Sequence, residues 1–248
     1  AFGVDKLGDE ETVAAVTPQS LWARYQDLLS TARVEVYYCG SADPDRVEAA
    51  LRAALAGLPV NGDREDPDCE VRLTAGPEPR LVEESMDVTQ GKLALGFRTG
   101  GQTCWEPDYP AFTVMNAIFG GTTLSKLFLN VREKLSLCYY ASSTYHRSKN
   151  LITVASGIEF ANYQKALDEI NAQLTAMRNG DWEDWELKGA RSCLANGHRS
   201  IFDSASQLED FYMGQIATGR NDDPESLLEA ALAVTPERIR AAAGAVKL

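Results

Sequence analysis

Two β-rich runs, LCYYASSTYH at 137–146 and LITVASGIE at 151–159, flank a short polar segment, Arg147-Ser148-Lys149-Asn150. So short a link joins antiparallel strands, because a parallel pair needs a crossover of about a dozen residues or more. The sequence therefore predicts an antiparallel hairpin, and the other elements must be placed around it. Asp108-Tyr109-Pro110 opens a helix carrying Val114, Met115, Ile118 and Phe119, and Gly120-Gly121 breaks it. LSKLFLNVREK follows, with Thr122 or Thr123 as its cap. Its Leu124, Leu127, Phe128 and Val131 have the spacing of a buried helical face. A longer helix, roughly 161–178, carries Ala166, Leu167, Ile170, Leu174 and Met177 and ends at Gly180. From Trp182 to about Thr218 the pattern is helical, with a break near Phe202-Asp203-Ser204.

Upstream, Thr17-Pro18 starts a helix with the stripe Leu21, Tyr25, Leu28 and Leu29. Asp43-Pro44 starts another, lined by Val47, Leu51, Ala54, Leu55 and Leu58, and Pro59 marks its exit. VEVYYCG at 34–40, RLVEESMDVT at 80–89 and KLALGFRTG at 92–100 read as strands. The Pro-, Gly- and Asp-rich stretch 61–79 reads as a linker. Few strands among paired helices predict an α+β fold: a two-layer sandwich, mainly antiparallel sheet with helices on one face. AVTPQSLWARY at 15–25 echoes AVTPERIRAAA at 233–243, and a strand–Gly–loop–helix unit occurs twice, which predicts an internally duplicated architecture cut out of phase.

Lys and Arg number 24 against 36 Asp and Glu, a net charge of -12. No basic block is present to neutralise phosphates, so neither nucleic acid nor an anionic membrane is an expected partner. No apolar run reaches membrane-span length. Five scattered cysteines without a CxxC predict reduced, buried thiols and a cytoplasmic protein. The only histidines, His146 and His198, stand in no HxxH, HExxH or HxxEH. There is no GxSxG and no phosphate-binding glycine loop. The expectation is no metal site, no resident cofactor and no catalytic residue in this chain alone. Arg132, at the end of its helix, suits the negative end of the helix dipole. Residue by residue, a purely structural arginine and a functional one both stay open.

The run GGTTLSKLFLNVREKLSLCYYAS resembles the signature of the C-terminal half of the M16 metallopeptidases, the pitrilysin/insulinase and mitochondrial-processing-peptidase family. Gly120, Gly121, Ser125-Lys126-Leu127-Phe128, Arg132-Glu133-Lys134, Leu137 and Tyr139 carry the likeness. Leu135-Ser136 departs from the glycine the family often has there. VEVYYCGSADPDRVEAAL and DYPAFTVMNAIFGG resemble flanking family segments, and the text as a whole looks most like bacterial members lacking the zinc motif. The resemblance implies the M16/LuxS-metallohydrolase-like fold with ferredoxin-like halves. It also implies that 1–60 is the tail of a first M16-type domain and that 80–248 is a second, non-catalytic one. Zinc would be supplied only by a catalytic M16 domain or sibling subunit. Arg132 and Tyr139 would reach a peptide substrate and its scissile carbonyl, while Gly120, Gly121, Ser125 and Phe128 would be structural. Alternatives are a catalytically dead homologue acting as a binding or scaffold subunit, and an unrelated ferredoxin-like α+β module with a chance motif.

Overall fold

The second AVTP segment folds as the sequence predicts. Thr235 caps a helix that begins at Pro236, its hydroxyl accepting the Arg238 N–H. The same device at Thr17-Pro18 caps the corresponding helix near the start of the chain. The computed structural model describes residues 7–59, 64, 71 and 73–248. The chain divides into two compact units, Ala1–Cys69 and Glu70–Leu248.

In the first unit the described elements are helices: α1 (Glu10–Ala14), α2 (Pro18–Thr31) and α3 (Pro44–Leu55). The α3 start is capped by Asp43, which accepts the Arg46 N–H. The apolar stripes predicted for α2 and α3 lie largely open. Leu21, Tyr25, Leu28 and Leu55 are exposed, and Ser30 is the single buried residue among those described in this unit. The expected strand at 34–40 is not formed: 33–39 has no regular structure. A strand is held by its ladder, and no strand neighbours it among the described residues of this unit.

The second unit holds a three-stranded antiparallel sheet ordered β1-β3-β2, made of β1 (Gly91–Arg98), β2 (Cys138–His146) and β3 (Leu151–Ile158). The predicted strand at 80–89 is absent; those residues run without regular structure and Leu81, Val82 and Met86 are exposed. Side chains alternate across the pleat. Leu93 and Phe97 of β1, Ala141 of β2 and Ile152, Val154 and Ile158 of β3 point into the core, while Lys92, Ala94, Gly96, Ser142, Thr144 and Ala155 face out.

Helix α4 (Tyr109–Asn116) lies on the sheet, α9 (Pro236–Ala245) packs on α4 and α5 (Tyr163–Asn179), α8 (Pro224–Leu232) packs on α4 and α6 (Asp184–Ser200), and α7 (Ala205–Ala217) follows α6. Phe112, Met115, Phe119, Ile170, Leu174, Met177 and Ile239 fill the space between the layers. This is the α+β arrangement read from the sequence. Gly180 closes α5 in the left-handed region, with φ 83°.

The hairpin turn is bound on several sides. Asn150 is fully buried with φ 51°, and its Oδ1 accepts from the Thr99 hydroxyl at 2.5 Å and the Gly101 N–H at 2.9 Å. The Cys104 N–H donates to the Arg147 carbonyl at 2.8 Å. Asn tolerates the left-handed conformation better than most residues and supplies the acceptor as well.

Candidate functional site

The Gly-Gly to Tyr-Tyr stretch departs most from regular structure. Helix α4 runs directly into a π-helical turn, Ala117–Gly121, and the next helix, Leu127–Lys134, is also π-helical. Its i→i+5 bonding takes more residues per turn than an α-helix. Of the predicted face, Leu127 and Val131 are buried and Phe128 is half-buried, whereas Leu124 lies in the turn before the helix and is exposed; Ser125 and Lys126 beside it are buried. Lys126, not a threonine, occupies the cap position of that helix, without a side-chain cap bond. Thr122 instead donates to the Ala117 carbonyl at 3.1 Å.

Gly120 and Gly121 permit a close approach. A Cβ on Gly120 would lie 2.6 Å from Ser143 Oγ, 2.7 Å from Leu127 Cδ1 and 2.8 Å from the Ser143 backbone nitrogen. One on Gly121 would lie 2.8 Å from Asn116 Nδ2. Gly120 thus lets the π-turn press against β2, and Gly121 lets it close on Asn116. Asn116 reinforces the contact, accepting the Ser143 hydroxyl at 2.7 Å. Ser125, fully buried, accepts the Phe128 N–H at 3.4 Å.

Beneath this stretch lies a contact that sequence reasoning missed. Lys126 Nζ sits 3.1 Å from Glu186 Oε1, and both residues are buried. Glu186 Oε2 also accepts the Glu183 N–H at 2.8 Å, closing the capping box of α6. The box, Glu183 followed by Glu186 ahead of a helical pattern, was the available signal.

Arg132 stands near the end of the π-helix. Its guanidinium lies over the Phe128 ring at 4.6 Å and its Nη1 is 3.2 Å from Glu133 Oε1, with the side chain 37% exposed. The ion pair is a surface pair and contributes little. The aromatic ring orients the guanidinium. The chain then turns through Ser136, at φ 50°, and Leu137 N–H returns to the Val131 carbonyl at 3.1 Å. β2 opens with a bulge: Cys138 pairs with Ile158 and Tyr140 with Gly157, leaving Tyr139 as the extra residue, 75% exposed. A bulge re-aims the side chain it carries. Burial pushes the Cys138 thiol up, while the Ser156 hydroxyl and the Arg132 charge oppose that shift.

Ser136 occupies the place where the sequence departs from glycine, and its backbone is left-handed. A Cβ there costs roughly 1 kcal/mol. Ser136→Gly is expected to raise stability by about 0.5 kcal/mol, and Ser136→Val to lower it by about 2 kcal/mol. Urea unfolding of the two variants checks the sign of each.

A cleft of about 510 Å³ borders the Gly121 end of this stretch, between α4, α6 and the end of β2. Asn116, Thr122, Tyr145, Arg147, Cys193 and His198 are among its walls, whereas Arg132 and Tyr139 are not. The structure thus brings Arg132 to Phe128, seats Gly120 against β2 and Gly121 against Asn116 at the cleft wall, but keeps the arginine–tyrosine pair outside this cleft.

Among the described residues no three His, Cys, Asp or Glu side chains are grouped to hold an ion. Both histidines already have partners, His146 Nε2 at 2.9 Å from Thr153 Oγ1 and His198 Nδ1 at 2.9 Å from the Leu194 carbonyl.

Fold and site together define an α+β domain that presents an arginine and a tyrosine from adjoining backbone irregularities and, among its described residues, has no metal-ligating group. The chain belongs to the peptidase M16 inactive domain family, whose description matches residues 15–194. It is 32% identical over 97% of its length to the probable inactive metalloprotease YmfF of Bacillus subtilis, covering 56% of that protein. A conserved protein from Enterococcus faecalis superposes with a TM-score of 0.82 at 28% identity, over 98% of this chain and 57% of the other. A protease from Helicobacter pylori shares the fold, with a TM-score of 0.74 at 16% identity over 97% of this chain and 58% of that one. The chain spans about half the length of the curated relatives it matches. The family match overturns the reading as an unrelated ferredoxin-like module.

Proposed function

We propose that this chain is the substrate-holding part of an M16-type zinc peptidase assembly. It binds an extended peptide and clamps it against a catalytic domain that carries the metal. The observation that carries the reading is the succession of π-helix, left-handed Ser136 and β-bulge, which sets Arg132 and Tyr139 at the surface on either side of one short turn. π-bulges and β-bulges recur at functional sites because each re-aims a side chain at some cost in regular bonding. A guanidinium and a phenol are suited to a peptide carbonyl, whose oxygen gains negative charge when a hydroxide attacks it. The Phe128 ring limits the rotamers open to Arg132, so less freedom is lost on binding.

In an assembly that joins this chain to a catalytic M16 partner, Arg132→Ala and Tyr139→Phe are each expected to lower kcat/KM about 10²-fold, roughly 2.7 kcal/mol. Thermal unfolding of the chain stays within a few degrees, because both side chains lie at the surface. Wild-type turnover from both variants overturns the role.

A second reading is a catalytically dead homologue that binds or scaffolds other proteins. The name of the Bacillus subtilis relative, an inactive metalloprotease, favours it. Under that reading the same substitutions weaken peptide binding about tenfold, measured by fluorescence anisotropy, and leave the turnover of any added peptidase unchanged.

A further inference from the structure

The cleft bordering Gly121 is electropositive in an acidic chain. Among the described residues its walls hold no aspartate or glutamate, although the chain has 36 of them and a net charge of -12. They do hold Arg147, half-buried just past the end of β2. Among the described residues its guanidinium has no ion pair and no hydrogen-bond acceptor. Gly214 of α7 lies against its Nη2 and has no side chain to cover it. Burial pushes the Tyr109 and Tyr145 phenols up, and the Arg147 charge is among those that oppose the shift, so that charge is felt across this wall. Asp222, whose charge also reaches Tyr109, is already taken by Arg220 at 2.6 Å. A guanidinium held partly out of water without a partner favours an anion, and its planar fork matches a carboxylate.

Two further features describe the rest of the ligand. His198 supplies an acceptor. Its Nδ1 donates to the Leu194 carbonyl at 2.9 Å, which leaves Nε2 of the neutral ring with a lone pair. No hydrogen bond to that Nε2 exists among the described residues. Pro110 of α4, Leu194 of α6 and Leu227 and Ala231 of α8 make an apolar part of the wall. The volume of about 510 Å³ lies within the roughly 300–1,000 Å³ usual for small-ligand sites.

We propose that this cleft binds the C-terminal end of a peptide, with its terminal carboxylate on Arg147, a backbone N–H on His198 Nε2 and an apolar last side chain against α4 and α8. A peptide terminus carries all three groups on a single residue: the anion, the N–H donor and the side chain share one Cα. The inference stands apart from the roles proposed for Arg132 and Tyr139, which do not line this cleft.

The test uses the full chain and three capped peptides: acetyl-Ala-Ala-Leu with a free carboxylate, the same peptide as its amide, and acetyl-Ala-Asp-Leu as its amide. Cys193, half-buried in the cleft wall, reports occupancy through its rate of alkylation by iodoacetamide, read by mass spectrometry. At saturation the free acid is expected to slow that alkylation about tenfold, and to bind about tenfold more tightly than the amide. Arg147→Gln is expected to remove the preference for the acid while binding the amide as before. Arg132→Ala is expected to leave the preference unchanged, which separates failure here from failure of the clamping role. Equal affinity of acid and amide for the wild-type chain overturns the proposal, and so does unchanged alkylation of Cys193 with the free acid in excess; neither measurement depends on a variant folding. Retention of the preference in Arg147→Gln overturns it too. An aspartyl amide that binds as tightly as the free acid overturns the terminal assignment in favour of an acidic side chain.

Discussion

Replacing Lys126 with methionine is expected to lower the stability of the second unit by about 3–5 kcal/mol. The substitution leaves Glu186 buried with no cation, its carboxylate oxygens 3.1 and 3.3 Å from where Nζ was. Removing one partner of a buried pair costs more than the pair contributes, because the remaining charge keeps its desolvation penalty. A single domain has only about 5–15 kcal/mol of stability, so this variant stands close to unfolding at ordinary temperature. The second half of the test is recovery. Glu186→Gln in the Lys126→Met background removes the orphan charge yet keeps an oxygen for the Glu183 N–H, which Glu186 now accepts at 2.8 Å. The double variant is expected to regain about 2 kcal/mol. Equilibrium unfolding in urea reads both numbers. A Lys126→Met protein that unfolds with the wild-type midpoint would show that the pair is not buried in solution.

Gly120→Ala is expected to cost about 3–4 kcal/mol, beyond the usual range for an added methyl group. The new Cβ meets Leu127 Cδ1 at 2.7 Å, which can rotate away, and the Ser143 nitrogen at 2.8 Å, which cannot. Relief requires the π-turn to move off β2. That movement breaks the contact between Asn116 and Ser143 and shifts the start of the segment leading to Arg132. Stability and peptide binding are thus expected to fall together, whereas Arg132→Ala affects binding alone. Calorimetry and fluorescence anisotropy on the two variants separate the effects. An alanine variant as stable as the wild type would mean that the π-turn and β2 are not in contact.

Much of this fold was legible in local chemistry. The caps at Thr17, Asp43 and Thr235 and the stop at Gly180 lie where the sequence put them, because each is satisfied by atoms a few residues away. The hairpin across 147–150 followed from loop length. The expected strands at 34–40 and 80–89 failed for the opposite reason. Their composition suits a strand, but a strand exists only through neighbours, and a sequence window holds none. The same limit hid Glu186, which lies 60 residues from the lysine it neutralises.

The candidate site was legible as a list of residues and not as a shape. Arg132, Tyr139, the glycines, Ser125 and Phe128 could all be named from the run 120–140. That the helix there starts only at Leu127, leaving Leu124 in an exposed turn, and is a π-helix with Arg132 against Phe128, could not. Helical periodicity assumes a regular turn, and only the packing of the π-turn on β2 breaks that assumption.

By itself, then, the sequence determined the elements whose hydrogen bonds close within a turn or two and the antiparallel sense of the hairpin, and it named the candidate site residues. The tertiary structure decided which β-rich runs became strands, where the π-helical turns fell and which charges were buried as a pair. Those outcomes depend on atoms far apart in the chain, and their energies exist only once the layers have packed.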